Sequence, residues 1–368
     1  MENRQKYYSP LELLRCEIRS FCDCAVITDD INRRYFTGMR SSAGTLAVFF
    51  EKAYLIIDFR YIEKARKTVK DCEVILQKDL YKQINELLKK HSAEKVSVEA
   101  DTLTVSRLAE ISDRLDCEID SSRALSECIG EIRACKRTEE IEKIIAAQRI
   151  AEKGFEHILN YIKPGRTERE IALELDYFML RNGAEALSFD TIALSGKNTS
   201  LPHGVPSDKA VENGDFVLMD YGAVVDGRHS DMTRTVCVGQ PSEEMIKVYD
   251  TVLKAQLAGL SAVRAGISGA ELDKTARDII SNAGYGEYFG HSLGHGVGME
   301  IHEAPTASPT CGNILEPDMI VTIEPGIYLP DKFGVRIEDF VIIKENGCEN
   351  MTRASKEPII LEENFCDH

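Results

Sequence analysis

Between residues 290 and 305 the chain reads GHSLGHGVGMEIHEAP. Three of its eight histidines, His291, His295 and His302, fall in this glycine-rich stretch. Four acids stand in otherwise apolar segments: Asp220 in DFVLMDYGAVV (215–225), Asp231 in HSDMTRTVCV, Glu324 in DMIVTIEPGIYL (318–329) and Glu338 in VRIEDFVII. An unpaired buried carboxylate costs several kcal/mol or shifts its pKa until it is neutral. Four acids inside apolar strands therefore require positive charge among them. Arg234 and Arg336 are near enough in sequence to supply it as a buried salt-bridge network. Their symmetric placement, with a histidine set among glycines, favours bound cations instead.

Four carboxylates and one imidazole form a donor set for two divalent ions. Oxygen and nitrogen donors suit Mn, Co, Fe and Zn, and no thiolate spacing points to a Cys-zinc site. Two ions about 3.5–4 Å apart activate a carbonyl and make a nucleophile available at neutral pH. His295, flanked by Gly294, Gly296 and Gly298, is the expected imidazole ligand, since glycine permits close backbone approach. His302 (HEAP) matches His203 (HGVP). These two are expected to flank the ions, where donors stabilise a substrate carbonyl or a developing oxyanion. His291 is either a further substrate contact or a satisfied core histidine.

The elements that must position these groups occur twice. PGRTEREIALELDYFMLRNGA (164–184) aligns with AGISGAELDKTARDIISNAGY (265–285). The alignment matches Gly165 with Gly266, the capping boxes Thr167/Glu170 and Ser268/Glu271 with each other, and Gly183 with Gly284. A long helical pattern precedes each copy; the first spans 138–162, ahead of Pro164–Gly165. After each copy come an H-x-x-P, an apolar strand carrying one acid, and a second acid on the next strand. Five matches at an offset of about 100 residues indicate an internal duplication. It predicts two similar α/β halves related by a pseudo-twofold axis, with equivalent acids meeting where the halves face each other. The first part of the chain reads as a small α/β domain ending near residue 130. It has a hairpin over 44–58, turning at Glu51–Lys52, and helices over 79–91 and 104–115.

The 368 residues leave room for two domains. A net charge of −16 argues against sequence-independent binding of nucleic acid. Eleven cysteines without CxxC pairs read as free thiols of an intracellular chain. The polar start MENRQKYYSP has no signal-peptide character. No run of about 18 apolar residues exists, so no membrane span is expected, and the cytoplasm is the expected compartment.

The chain resembles the creatinase/prolidase/methionine aminopeptidase superfamily, the pita-bread metallopeptidases. It is most similar to the Xaa-Pro aminopeptidase and Xaa-Pro dipeptidase (prolidase) branch. The matching stretches are NTSLPHG (198–204), MDYGAVVDGRHSDMTRT (219–235), GHSLGHGVGMEIHEAP (290–305), TIEPGIYLP (322–330) and GVRIED (334–339). The resemblance implies an α/β fold: a C-terminal pita-bread domain (131–368) of duplicated halves, preceded by a smaller creatinase N-terminal-like α/β domain (1–130). NRRYFTGMRSSAGTL (32–46) and LIIDFRYIEKA (55–65) carry the latter match more loosely. It implies the ligand set Asp220, Asp231, His295, Glu324 and Glu338, substrate-side His203, His291 and His302, and active-site Arg336. A homodimer is implied as well.

The expected activity is hydrolysis of Xaa-Pro bonds in proline-containing peptides by two divalent ions, manganese first, with Co, Fe or Zn as alternatives. Glu324 would shuttle a proton as base and then acid, and His302 and His203 would assist the reacting carbonyl. An X-Pro bond has no N–H, and metal-centred attack does not need one. GHSLG (290–294) also fits the G-x-S-x-G nucleophile elbow with Ser292 as nucleophile, but the preceding NAGYGEYF is no apolar strand. A non-catalytic peptide-binding protein of the same fold is a second rival, and a creatinase-like amidinohydrolase a third. Intact acids speak against both.

Overall fold

A computed structural model describes residues 8–362. The chain divides into two compact units that meet between Arg133 and Ala134.

The first unit is built on a six-stranded mixed sheet, in the order Glu73–Leu76, Ala53–Ile57, Thr45–Phe49, Cys24–Ile27, Lys95–Val98, Glu118–Asp120. The expected hairpin forms, with Thr45 opposite Ile56 and Val48 opposite Ala53. The helices expected after Asp79 and Thr104 also form, as Leu80–His91 and Val105–Arg114. Each begins where the Asp79 or Thr104 side chain accepts a backbone N–H of the first turn. Arg33 is fully buried and donates to the Thr28, Ser41 and Gly44 carbonyls, which ties the Asp30–Thr37 helix to the neighbouring loops.

The second unit repeats one motif. Each copy has a long helix, Thr138–Ile158 or Glu243–Ala262, and a capped helix, Glu168–Arg181 or Gly269–Asn282. Both capping boxes close as expected. The duplication extends to contacts that no linear pattern shows. Gly165 N–H donates to Val211 and Gly266 N–H to Leu315, and both glycines have positive φ. Thr167 bridges Ala210, and Ser268 bridges Ile314. The first long helix ends at Ile158 rather than 162, because Asn160 and Tyr161 N–H bond only three residues back, to the His157 and Ile158 carbonyls, ahead of Pro164.

In each half the helices cover one face of a sheet: antiparallel in the second half, and in the first antiparallel except for Ile360–Leu361, which pairs parallel to Met232–Val238. In the Phe216–Tyr221 strand, Val217, Met219 and Tyr221 pack into the helix-side core with Ile171 and Leu175. In the second half, Val321 and Ile323 pack with Leu272 and Ala276. Strand side chains alternate, so Asp220 and Thr322 point to the opposite face. The strands are shorter than the expected apolar runs. The 215–225 run breaks at Gly222, where a Cβ would meet the Ser230 carbonyl oxygen at 1.9 Å; Ala223–Val225 then joins another sheet. The 318–329 run breaks after Ile323 at Glu324–Pro325, where proline has no N–H for the ladder. Consequently only Asp220 lies inside a strand. Asp231, Glu324 and Glu338 sit one residue beyond strand ends, a correction to the expectation that all four are interior.

Candidate metal centre

Asp220 stands opposite Thr233 across the Phe216–Tyr221 and Met232–Val238 pair. In the other half, Ile323 stands opposite Asp339, which places the flanking Glu324 and Glu338 beside one another. His295 lies on the short Gly294–Gly296 strand, held close by Gly294, where a Cβ would meet the Thr322 carbonyl oxygen at 1.8 Å. Its N–H donates to Thr322 Oγ1 (3.0 Å), and the same hydroxyl donates to Glu324 Oε1 (3.1 Å).

The side chains converge. His295 Nε2 lies 3.3 Å from Glu324 Oε1 and 3.6 Å from Asp231 Oδ2. One ligand atom each of Asp231, His295 and Glu338 lie within 4.8 Å of one another. His295 Nδ1–H donates to the Gly296 carbonyl (3.1 Å). That bond fixes the tautomer and turns Nε2 toward the acids, as in metal-bound imidazoles. A nitrogen this close to two carboxylate oxygens needs a positive centre between them, a proton or a cation. One proton does not suffice. Asp220 Oδ1, Asp231 Oδ1 and Glu338 Oε1 are buried with no hydrogen-bond partner, a costly state for charged oxygens. Arg336 Nη2 reaches Asp220 Oδ2 at 2.5 Å. Arg234 instead pairs with Asp339 and with the Glu338 carbonyl, on the far side. One guanidinium against four carboxylates leaves three negative charges uncompensated. Burial and mutual repulsion push Asp231 and Glu338 well above the usual carboxylate range, and burial also raises Asp220. At Glu324 burial acts in the same direction, but His295 and Arg336 prevail and hold the carboxyl down at about 2. The donor set therefore fits divalent cations: oxygen-rich, with one imidazole and three idle carboxylate oxygens.

The histidines differ in setting. His302 is exposed, its ring centroid 4.4 Å from that of His295. His203 is exposed on the segment after the Gly196–Ser200 turn. His291 has both ring nitrogens engaged: Nδ1–H donates to the Ser292 carbonyl and Nε2 accepts from Tyr328 OH (2.9 Å). Burial lowers its pKa and keeps it neutral. Arg336 is similarly committed, through Nε to Thr233 Oγ1 (3.0 Å), Nη1 to Tyr328 OH (2.7 Å) and Nη2 to Asp220. Thr233 Oγ1–H donates to Glu338 Oε2 (2.7 Å). Thr233, Thr322 and Tyr328 went unnoticed in the sequence. Each threonine lies two residues from a site acid, Asp231 or Glu324, but threonine is an ordinary strand former. Ser292 follows a short helical turn and precedes the Gly294–Gly296 strand, so it is not at a strand-to-helix elbow.

Known proteins resemble the chain over most of its length. Metallopeptidase family M24 matches residues 142–345, and the creatinase/prolidase N-terminal domain matches 18–135. An Xaa-Pro dipeptidase of Pyrococcus furiosus is 40% identical over 91% of this chain and 94% of its own. The structure of an Xaa-Pro dipeptidase from Bacillus anthracis superposes with a TM-score of 0.92 at 41% identity, covering 96% of this chain and 99% of that one. An X-Pro aminopeptidase from Thermotoga maritima gives a TM-score of 0.86 at 36% identity, covering 92% and 97%. The solved relatives share the pita-bread architecture. With its two family domains in order, the chain belongs to metallopeptidase family M24, whose members work with divalent metal ions.

Proposed function

We propose that the chain hydrolyses Xaa-Pro bonds, releasing the residue that precedes proline in peptides or dipeptides. The observation that carries this reading is the set of three partnerless buried carboxylate oxygens beside His295 Nε2. The names of the similar dipeptidases and aminopeptidase supply the substrate class. Asp220, Asp231, His295, Glu324 and Glu338 would hold two divalent ions. When bound, such ions supply Lewis acidity and a nucleophile at neutral pH. Glu324 takes a proton in the attack and returns it to the leaving imide nitrogen. His302 and His203 offer ring N–H groups to the scissile carbonyl as its charge develops. His291 and Arg336 act on the substrate side through Tyr328 and Asp220, because their own nitrogens are committed.

Manganese is the ion to try first, with Co, Fe and Zn as alternatives accepting the same donors. The reading includes a homodimer in the cytoplasm; the free thiols of the described cysteines suit a reducing compartment. No helix among the described residues is long and apolar enough to cross a membrane. A domain division near residue 130 is supported by the compact units. The test is release of proline from Ala-Pro, and of alanine from a longer Ala-Pro peptide, after chelation and after reloading with each metal. Activity lost on chelation and restored by an ion supports the reading, and the ratio of the two rates separates dipeptidase from aminopeptidase. Full turnover by metal-free protein contradicts it.

A further inference from the structure

The duplicated halves differ at the residue after each N-cap. In the second half it is Gly269, where a Cβ would meet the Thr306 carbonyl oxygen at 2.2 Å. In the first half it is Glu168, which is fully buried. Its Oε1 accepts from Ser195 N (2.7 Å), Ser195 Oγ (3.3 Å) and Asn198 Nδ2 (3.0 Å). Its Oε2 accepts from Ser207 N (3.0 Å) and Ser207 Oγ (2.6 Å), and from the same Asn198 amide (3.2 Å). One carboxylate thus ties both ends and the early turn of the 195–207 segment. The helix N-terminus favours its charge, and Lys209 Nζ supports it through Ser195 Oγ (3.0 Å). Between the tied ends lie the exposed Leu201, His203 and Val205. The Pro202 carbonyl, next to His203, accepts from Arg336 Nη1 (3.4 Å), the guanidinium that holds Asp220. No capping role requires this carboxylate, since Thr167 and Glu170 close the box without it.

We infer that Glu168 is a positioning residue that fixes the 195–207 segment and so presents His203 to the substrate. The part concerning His203 rests on the function proposed above; the anchoring does not. Every hydrogen-bond partner of the carboxylate is a donor, so Glu168→Gln turns an amide N–H toward either the Ser195 or the Ser207 end and frees it. In the metal-loaded enzyme, hydrogen exchange of residues 196–206 should rise about tenfold in Glu168→Gln, the equivalent of one lost charged hydrogen bond. Metal content should be unchanged. For an Xaa-Pro substrate kcat should fall about tenfold, and KM should change less, because His203 acts as charge develops on the carbonyl. In a His203→Ala background the same substitution should cost less than about twofold. Ser207→Ala, which removes one donor and leaves Glu168 in place, should show the same pattern at smaller size and serves if Glu168→Gln does not fold. Unchanged exchange in either folded variant overturns the anchoring. Raised exchange with equal kinetic losses in both backgrounds overturns the path through His203. A His203→Ala enzyme with wild-type kinetics contradicts the proposed role of His203 and leaves the exchange result to judge the anchor.

Discussion

The two halves of the second unit share a frame and differ in what they hang on it. Each closes a capping box, sets a positive-φ glycine against the strand connection and offers two acids on the face away from its helices. The imidazole comes from the second half alone: His295 lies on Gly294–Gly296, which pairs with Glu303–Ala307 in a separate two-stranded sheet, whereas the first half's edge strand, Ile192–Ser195, is largely aliphatic. The loop anchors differ as well. Glu168 secures the segment carrying His203. In the second half, buried Asp273 accepts Leu293 N–H and pairs with Arg277, which donates to the Phe289 and His291 carbonyls. Duplication thus delivers matched carboxylates, while the imidazole and the loop anchors have diverged.

If the acids form one shared centre, removing either of an equivalent pair should empty it. Asp231→Ala and Glu338→Ala should each lose bound metal and lower kcat/KM by on the order of a thousandfold, the several kcal/mol that metal activation supplies. Elemental analysis alongside kinetics checks this, and loss from only one variant would show that the halves bind independently. Packing should be equally balanced. Ile171 and Leu272 occupy matching, fully buried positions in the two helix-side cores. Truncating either to Ala should cost about 2–5 kcal/mol by denaturant unfolding, and a neutral result at one would mark that half as loosely packed. Thr233→Val and Thr322→Val remove hydroxyls that orient Glu338 and Glu324. Each should weaken metal binding about 10–100-fold in a competitive titration, and unequal losses would reveal which half dominates the grip. The smallest effect belongs to the caps: Thr167→Ala and Ser268→Ala should each cost about 1 kcal/mol. Bonds from the N-cap backbone lower the Glu170 and Glu271 pKa values. Their contribution is therefore present above the unfolded carboxylate pKa and lost as pH falls through the folded value. Thermal melts between pH 6 and about pH 3 should show wild type drawing together with Glu170→Gln and Glu271→Gln, which lack the titrating charge.

Much of this arrangement was legible because a carboxylate in an apolar run is conspicuous, and because five motifs recur in register. Asp220, Asp231, Glu324 and Glu338 are brought together as the duplication predicts, and His295 joins them. Three features were not legible. Threonine is an ordinary strand former, so nothing marked Thr233 or Thr322 as hydrogen-bonding the acids. Glu168 read as one more acid in a helix's first turn, since its partners Ser195 and Ser207 lie 27 and 39 residues away. Strand ends at Gly222 and Pro325 were hidden inside continuous apolar runs, because close backbone approach is a tertiary fact. Arg336 was assignable to the site, but its commitment to Asp220 and Thr233 depends on pairing across 116 and 103 residues, and Tyr328 reaches it across the Gly326–Leu329/Phe333–Arg336 hairpin.

The central claim is that these carboxylates stay together because cations hold them. Crystals grown with manganese and measured at its absorption edge test it most directly. The account predicts two anomalous peaks about 3.5–4 Å apart, contacted by Asp220, Asp231, His295, Glu324 and Glu338. A map without peaks, in which Asp231 and Glu338 are satisfied by lysine or arginine side chains or by a shared proton, would contradict it.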